Sequence, residues 1–374
     1  MQFSEIPGLE DIKNQLISAI KKNKVPHAQL FYSNNGNANL AMAIAYATYL
    51  NCENKQDNDS CGKCAACSKN NKLIHPDLHF IYPVATSKKV DKNPSSNLYM
   101  KDWRQFVANQ PYGSIKEWGE EMGIENKQPN IAAEEARNIV KKISLKAFEG
   151  EFKILIIWLP EYMNQASGNA LLKTLEEPPE KTVFLLVANN HEKLLTTILS
   201  RTQKIMIRGF EKKEITQYLV ERYNCSLDRA ESIAFIADGS MNEAIQLTNK
   251  EEEDHHEMFR VWLRNCYSFK VKELTSLSDD FQSLGREAQK TLLIYGINII
   301  RECLLIQAAP NLSRLRESEK EFVEKFSKVT NHKILEDIIQ FYNKAYFHIE
   351  RNANPKILFA DLSFQIALAL RSKK

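Results

Sequence analysis

Two short and nearly uninterrupted apolar segments, Lys153-Ile154-Leu155-Ile156-Ile157-Trp158 and Thr182-Val183-Phe184-Leu185-Leu186-Val187-Ala188, constrain this chain more than any other feature. Apolar runs without alternation are expected of strands covered on both faces, and such strands belong to parallel sheets flanked by helices. Between them, Asn164 to Glu177 has helical spacing and stops at Pro178-Pro179. Strand, helix and strand in that order make a βαβ unit, and roughly the first two hundred residues alternate in this way. Leu30-Phe31-Tyr32 and Lys204 to Arg208 are further strand candidates.

After Gly209 the pattern changes to three short helical segments, 211–223, 226–237 and 240–248, with Gly239-Ser240 as a break. Residues 210–251 therefore form a small helical domain. From 252 to 374 longer amphipathic segments follow with no strand signal, which predicts an all-helical third domain. Leu335, Ile338, Ile339, Phe341, Tyr342, Tyr346 and Phe347 are dense enough for either a core or a surface hidden in an oligomer. Residues from about 85 to 130 fit neither pattern. They begin polar and turn-rich, then become aromatic at Tyr99, Trp103, Phe106, Tyr112 and Trp118. This segment reads as an insertion with one or two short helices, packed mainly against itself, although a contact with DNA or another protein is also open to it.

A length of 374 residues allows two or three domains. A formal charge of +3 neither requires nor excludes a nucleic-acid partner, because a local basic patch can sit on a nearly neutral protein. No uninterrupted apolar run approaches the roughly 20 residues that cross a bilayer. The early acids Glu5, Glu10 and Asp11, without a basic-then-apolar leader, make a cytoplasmic location the expectation, with no membrane partner.

Four of the seven cysteines, Cys52, Cys61, Cys64 and Cys67, fall within sixteen residues. Paired C-x-x-C spacing lets two sulfurs converge on one ion, and four thiolates complete a closed tetrahedron around Zn²⁺. Such a closed shell leaves no position for water, so the ion would be structural. Disulfides are disfavoured in a reducing compartment, and an iron–sulfur cluster is the other competing reading. Cys225, Cys266 and Cys303 stand alone in helical sequence and read as buried packing residues.

Leu30-Phe31-Tyr32 runs into the small polar turn Ser33-Asn34-Asn35-Gly36-Asn37-Ala38-Asn39, and a helix starts after it. The phosphate-binding pattern G-x-x-x-x-G-K-[ST] laid on this segment falls on Ser33, Ala38, Asn39 and Leu40. Asn39 then stands where a lysine would reach the β- and γ-phosphates, and Leu40 where a hydroxyl would hold Mg²⁺. A neutral amide and a branched alkane perform neither task. Strand–loop–helix is also ordinary α/β structure, so this segment alone identifies nothing.

Asn169-Ala170-Leu171-Leu172-Lys173-Thr174-Leu175-Glu176-Glu177-Pro178-Pro179 resembles the signature helix of the bacterial replicative clamp-loader AAA+ family. Thr197-Ile198-Leu199-Ser200-Arg201-Thr202 is similar to that family's Ser-Arg-Cys motif, with Thr202 in the cysteine position. His27-Ala28-x-Leu30-Phe31 matches the approach to its phosphate loop, and the four cysteines lie where its zinc module does. Glu350-Arg351-Asn352-Ala353-Asn354 and the following helix resemble the end of its collar domain. The resemblance implies an α/β AAA+ domain over 1–209, with the zinc module at 52–67 and the insertion at about 85–130. It further implies a small helical lid domain over 210–251 and a helical collar over 252–374.

Within this family intact phosphate loops mark the ATP-hydrolysing γ/τ subunits, and the chain departs from them at several places. Only Gly36 of the loop survives, Trp158 stands at the acidic end of the Walker B strand, and Asn242 replaces the sensor arginine in Gly239-Ser240-Met241-Asn242-Glu243-Ala244. Glu161 remains nearby. The departures are those of the δ′ branch of the DNA polymerase III clamp loader. The resemblance therefore implies a subunit with no activity of its own that binds structural Zn²⁺ but no ATP or Mg²⁺. Ser200 and Arg201 persist, so Arg201 is expected to act in trans at the ATP site of a neighbouring γ/τ subunit. The implied partners are the γ/τ and δ subunits, primer–template DNA inside the assembled ring, and the sliding clamp indirectly. Two rivals remain: an ATP-hydrolysing γ/τ-like motor with an atypical loop, and a free-standing zinc-containing DNA-binding protein.

Overall fold

The βαβ alternation closes into one parallel sheet. The computed structural model describes residues 1–33, 36–124, 127–143, 146–248, 255–308 and 317–371. Asn34 and Asn35 of the turn and the expected 251/252 boundary lie outside the described residues. Strands β1 (Ala28–Tyr32), β2 (Leu78–Ile81), β3 (Lys153–Trp158), β4 (Thr182–Ala188) and β5 (Gln203–Met206) lie in the order β2-β3-β4-β1-β5, every pairing parallel. β3 and β4 are buried along their whole length, which is why neither alternates in sequence. At the edge, β5 buries only Ile205.

Helices α1 (Glu10–Lys21), α2 (Asn39–Leu50), α3 (Ala65–Asn71), α4 (Met100–Asn109), α5 (Ile115–Met122), α6 (Ala133–Ile143), α7 (Gln165–Glu176) and α8 (Thr196–Leu199) accompany the sheet. α2 is buried on every side, which accounts for its nearly uniform apolar sequence. The Asn164 side chain caps α7 by accepting the Ser167 N–H at 2.9 Å. Leu171 and Leu175 turn into the core with Ile139 and Ile143 of α6. A Cβ on Gly168 would come within 2.5 Å of Leu195 Cδ1, so a larger residue would require the Leu195 side chain to move.

Three helices, α9 (Lys212–Tyr223), α10 (Leu227–Ala237) and α11 (Met241–Thr248), follow the sheet close to the expected limits and belong with it to a unit spanning Met1–Thr248. One or two short helices are expected in the insertion and it contains two, α4 and α5; Trp103, Phe106 and Trp118 pack there with Tyr82 and Trp158 of the sheet region. Tyr82 stacks on Trp103 at 4.1 Å, and Trp158 lies 5.1 Å from Trp103 and 5.7 Å from Phe106. The Trp118 Nε1–H donates to Pro83 O at 2.8 Å, so the buried indole keeps a polar partner.

The second unit, Asn249–Lys374, contains α12 (His255–Ser268), α13 (Val271–Ser283), α14 (Arg286–Ala308), α15 (Glu317–Val329), α16 (His332–Glu350) and α17 (Pro355–Arg371), with no strand among its described residues. Trp262 stacks on Phe359 at 4.4 Å and donates its N–H to Ser363 Oγ at 2.8 Å. Leu335, Ile338 and Tyr342 are core residues, whereas Phe347 is exposed beneath the Arg351 guanidinium at 3.5 Å. By length and composition, Ala288–Ala308 within α14 is apolar enough to cross a membrane. Polar residues such as Thr291, Asn298, Arg301 and Glu302 interrupt it, so no continuous run shows in the sequence. Leu292, Leu293, Ile299, Ile300 and Cys303 are buried, and α14 packs on α15 and α16. Cys266 and Cys303 are buried as expected, with burial pushing both thiols up, while Cys225 is only half-buried.

Candidate functional site

The loop after β1 opens at the carboxyl end of the sheet, where open α/β proteins place their ligands. Asn39 is 4% exposed, and its amide donates to Ala188 O at 3.2 Å and Asn189 Oδ1 at 2.8 Å. Its polar groups are engaged by the end of β4 rather than presented to the cleft. Ala38 and Leu40 are buried, and Ser33 sits at the carboxyl end of β1 with its N–H on Ala188 O. Gly36 has φ +81°, a region glycine enters at little cost. Its carbonyl accepts the Asn242 N–H at 3.2 Å, and a Cβ there would lie 2.1 Å from Ser240 Oγ. The start of α11 therefore rests on the loop itself.

Trp158, at the end of β3, is 1% exposed and packed into the aromatic cluster. The nearest acid, Glu161, lies past a turn in which Leu159 takes φ +53°. Its Oε1 accepts from the Asn189 and Asn190 N–H groups at 2.8 and 3.0 Å. Burial raises the Glu161 pKa, and these backbone donors oppose the shift. Asn39, Asn189 and Glu161 thus form one hydrogen-bonded chain across the place where metal and phosphate would be held.

Ser200 and Arg201 follow α8, and Arg201 pairs with Glu176 on α7. It also donates to Thr197 O at 2.8 Å and Ser200 Oγ at 3.2 Å. The His27 ring nitrogen meets Leu175 O at 3.1 Å, so the segments before β1 and after α8 both touch the signature helix. The Arg201 side chain remains 33% exposed. The ion pair itself, part-exposed, is worth about 0–1 kcal/mol.

The four cysteine sulfurs lie within 4.8 Å of one another, and Cys61 Sγ is 4.0 Å from Cys67 Sγ. Tetrahedral Zn–S bonds of about 2.3 Å separate neighbouring sulfurs by about 3.8 Å, so the set fits one such ion. None of the cysteines is in a disulfide. Backbone N–H groups already point at the sulfurs: Cys61 N to Cys52 Sγ at 3.3 Å, Cys64 N to Cys61 Sγ at 3.3 Å, and Cys67 N to Cys64 Sγ at 3.4 Å. The donation from the Lys63 backbone lowers Cys61 to about 6, while burial pushes Cys52 and Cys67 up. Four thiols this close resist ionising together, and a bound dication would offset that repulsion.

Two residues with structural consequences escaped the sequence reading. Glu117, on α5, accepts the Asn242 Nδ2–H at 3.2 Å. Its S-x-x-E spacing from Ser114 marks a helix start, but nothing in that motif tells that its carboxylate reaches α11. Buried Asp77 accepts from the N–H groups of Phe148, Glu149 and Gly150 at 2.6, 2.9 and 2.8 Å.

A family model described as DNA polymerase III, delta subunit, matches residues 8–211. The τ subunit of DNA polymerase III from Bacillus subtilis (strain 168) is 26% identical over 96% of this chain and 60% of its own length. The δ′ subunit from Yersinia pestis is 31% identical over 52% of this chain and 45% of its own length. The chain thus spans less than two thirds of either relative. A DNA polymerase III γ-subunit-related protein from Thermotoga maritima covers 97% of this chain and 100% of its own, at 15% identity and TM-score 0.36, a likeness too loose to argue from.

Proposed function

The chain belongs to the DNA polymerase III, delta subunit family of bacterial AAA+ clamp-loader proteins, and from that premise we propose that it serves as a δ′-like subunit that binds no ATP. Its work is to help load the sliding clamp onto primed DNA, in assembly with γ/τ and δ subunits. Arg201, presented beside Ser200, supplies a cation in trans to the ATP site of an adjacent γ/τ subunit. A cation supplied in this way contributes roughly 10³–10⁵ in rate at the site it serves. One structural Zn²⁺ is held by Cys52, Cys61, Cys64 and Cys67. Residues 1–209 form the fixed AAA+ body, 210–251 the lid and 252–374 the collar, with primer–template DNA inside the ring.

The observation that carries this reading is Asn39. It stands in the lysine position and is satisfied by Ala188 and Asn189, while Trp158 puts an indole where a metal ligand is needed. The weak Arg201–Glu176 pair is compatible with a guanidinium that exchanges its own carboxylate for a neighbour's phosphate.

The τ relative aligns over nearly the whole chain, which favours a second reading: an ATP-hydrolysing γ/τ-like motor whose loop binds phosphate through backbone N–H groups alone. Titration of the isolated chain with Mg²⁺ and a nonhydrolysable ATP analogue separates the two. Heat of binding at micromolar analogue establishes the motor, and none is expected. Arg201→Ala should leave folding and assembly intact while clamp loading by the complex falls at least about tenfold. Unchanged loading and unchanged DNA-stimulated ATPase would remove Arg201 from the mechanism.

A further inference from the structure

The insertion touches the lid at two separate places. At the first, Glu117 of α5 accepts the side-chain amide of Asn242, whose backbone N–H is already on Gly36 O. At the second, the ring of Tyr112, between α4 and α5, lies edge-on to Phe210 at 5.4 Å and to Tyr218 of α9 at 5.8 Å. The other end of the insertion is anchored in the sheet through the packing of Trp103 and Phe106 against Trp158. Loop, insertion and lid thus meet at one residue, Asn242.

We propose that α5 and the Tyr112 turn are an intramolecular latch that ties the lid down on the substituted phosphate loop, with Glu117 as the positioning residue that closes it. The latch deepens the reading of a subunit that binds no nucleotide, and rests on it. A site that holds a triphosphate turns cations and Mg²⁺ toward it, and the sensor position at the start of α11 is where the resemblance implies one. Here the corresponding turn carries a neutral amide, and the insertion brings a carboxylate to it. A carboxylate at that position is repelled by phosphate and accepts from the amide, so the same contact that fixes the lid also disfavours an anion beneath it. Glu117 is 9% exposed and also accepts from Ser114 N at 2.8 Å and Ser114 Oγ at 2.6 Å, so its carboxylate is aimed before the lid arrives.

Amide hydrogen exchange on the full chain tests the latch. In Asn242→Ala, which leaves the α5 cap untouched, amides of α9 and α11 should exchange about tenfold to a hundredfold faster, the range expected when a hydrogen bond to a charged group is lost, and Tyr112→Ala should accelerate the same amides through loss of its buried ring contacts. Amides of β3 and β4 should not change, which distinguishes an opened lid from a damaged core. Glu117→Gln keeps an acceptor but not the charge, so its exchange should lie between wild type and Asn242→Ala, whereas Glu117→Lys should open the lid as Asn242→Ala does. Wild-type exchange in both Asn242→Ala and Tyr112→Ala would overturn the latch. Analogue binding is measured on the same proteins: binding by the wild type would sink the nucleotide-free reading, whereas the exchange rates alone decide whether the insertion restrains the lid.

Discussion

Asn39 has its amide fixed between Ala188 O and Asn189 Oδ1, and Asn189 is tied in turn to Glu161. Restoring the lysine of a phosphate loop at this one position would therefore break these hydrogen bonds and bury an ammonium among groups arranged for an amide. Asn39→Lys is expected to lose about 1–3 kcal/mol of stability, the cost of stranding buried hydrogen-bonding groups, and to gain no nucleotide affinity. Urea unfolding measures the first and calorimetric titration the second; tight analogue binding by this single variant would show that the remainder of the pocket is still competent. The substituted identities at Asn39, Leu40, Trp158 and Asn242 were readable from the pattern of the sequence. The partners of Asn39 were not, because Ala188 and Asn189 lie some 150 positions away, and only the β1–β4 register puts them side by side. The Arg201–Glu176 pair is hidden for the same reason: two motifs separate in sequence meet only after α7 and α8 pack.

Elements with a long apolar signal were the legible ones. β3, β4 and α7 fall within a residue or two of where periodicity and capping put them, since burial on both faces or an Asn cap leaves a local mark. β2 went unread because it has only four residues and His79 interrupts its apolar character. Asp77, immediately before β2, shows what that edge does. Burial alone would raise its pKa, but the Glu149, Gly150 and Phe148 backbone donors outweigh burial and hold it below its usual 3.8. A carboxylate with a lowered folded-state pKa stabilises fully above its unfolded value. That contribution is lost as pH falls through the folded value, because the unfolded chain then takes up the proton first. The loop at 148–150 should thus keep its exchange protection at pH 5 and above and lose it progressively below pH 4. Asp77→Asn should abolish that acid dependence and leave the loop less protected at neutral pH. A pH profile identical to wild type in Asp77→Asn would dissociate the loop from this carboxylate.

At the scale of the molecule, the chain divides into two units with separate cores, Met1–Thr248 and Asn249–Lys374, so one cooperative unfolding transition is not the expectation. Three of the four tryptophans, Trp103, Trp118 and Trp158, are clustered in the first unit, and Trp262 alone reports on the second. The cysteine module belongs to the first unit and is tied to the sheet through Asn51, which donates to Phe152 O and accepts from Phe152 N, both at 2.8 Å. Cys64 also caps α3 by accepting the Cys67 N–H, so the ligands and the helix that bears one of them depend on a single arrangement. Chelation of an ion held by the four cysteines should then destabilise the first unit and leave the second unaffected. A loss of only about 3 kcal/mol would lower the first unit's transition by on the order of 10 °C. Calorimetry resolves the two transitions, and near-ultraviolet dichroism of the tryptophan cluster assigns the lower one. Cys61→Ser should reproduce the effect of the chelator without it. If stoichiometric zinc is measured on the protein and its removal shifts neither transition, the module does not support the sheet.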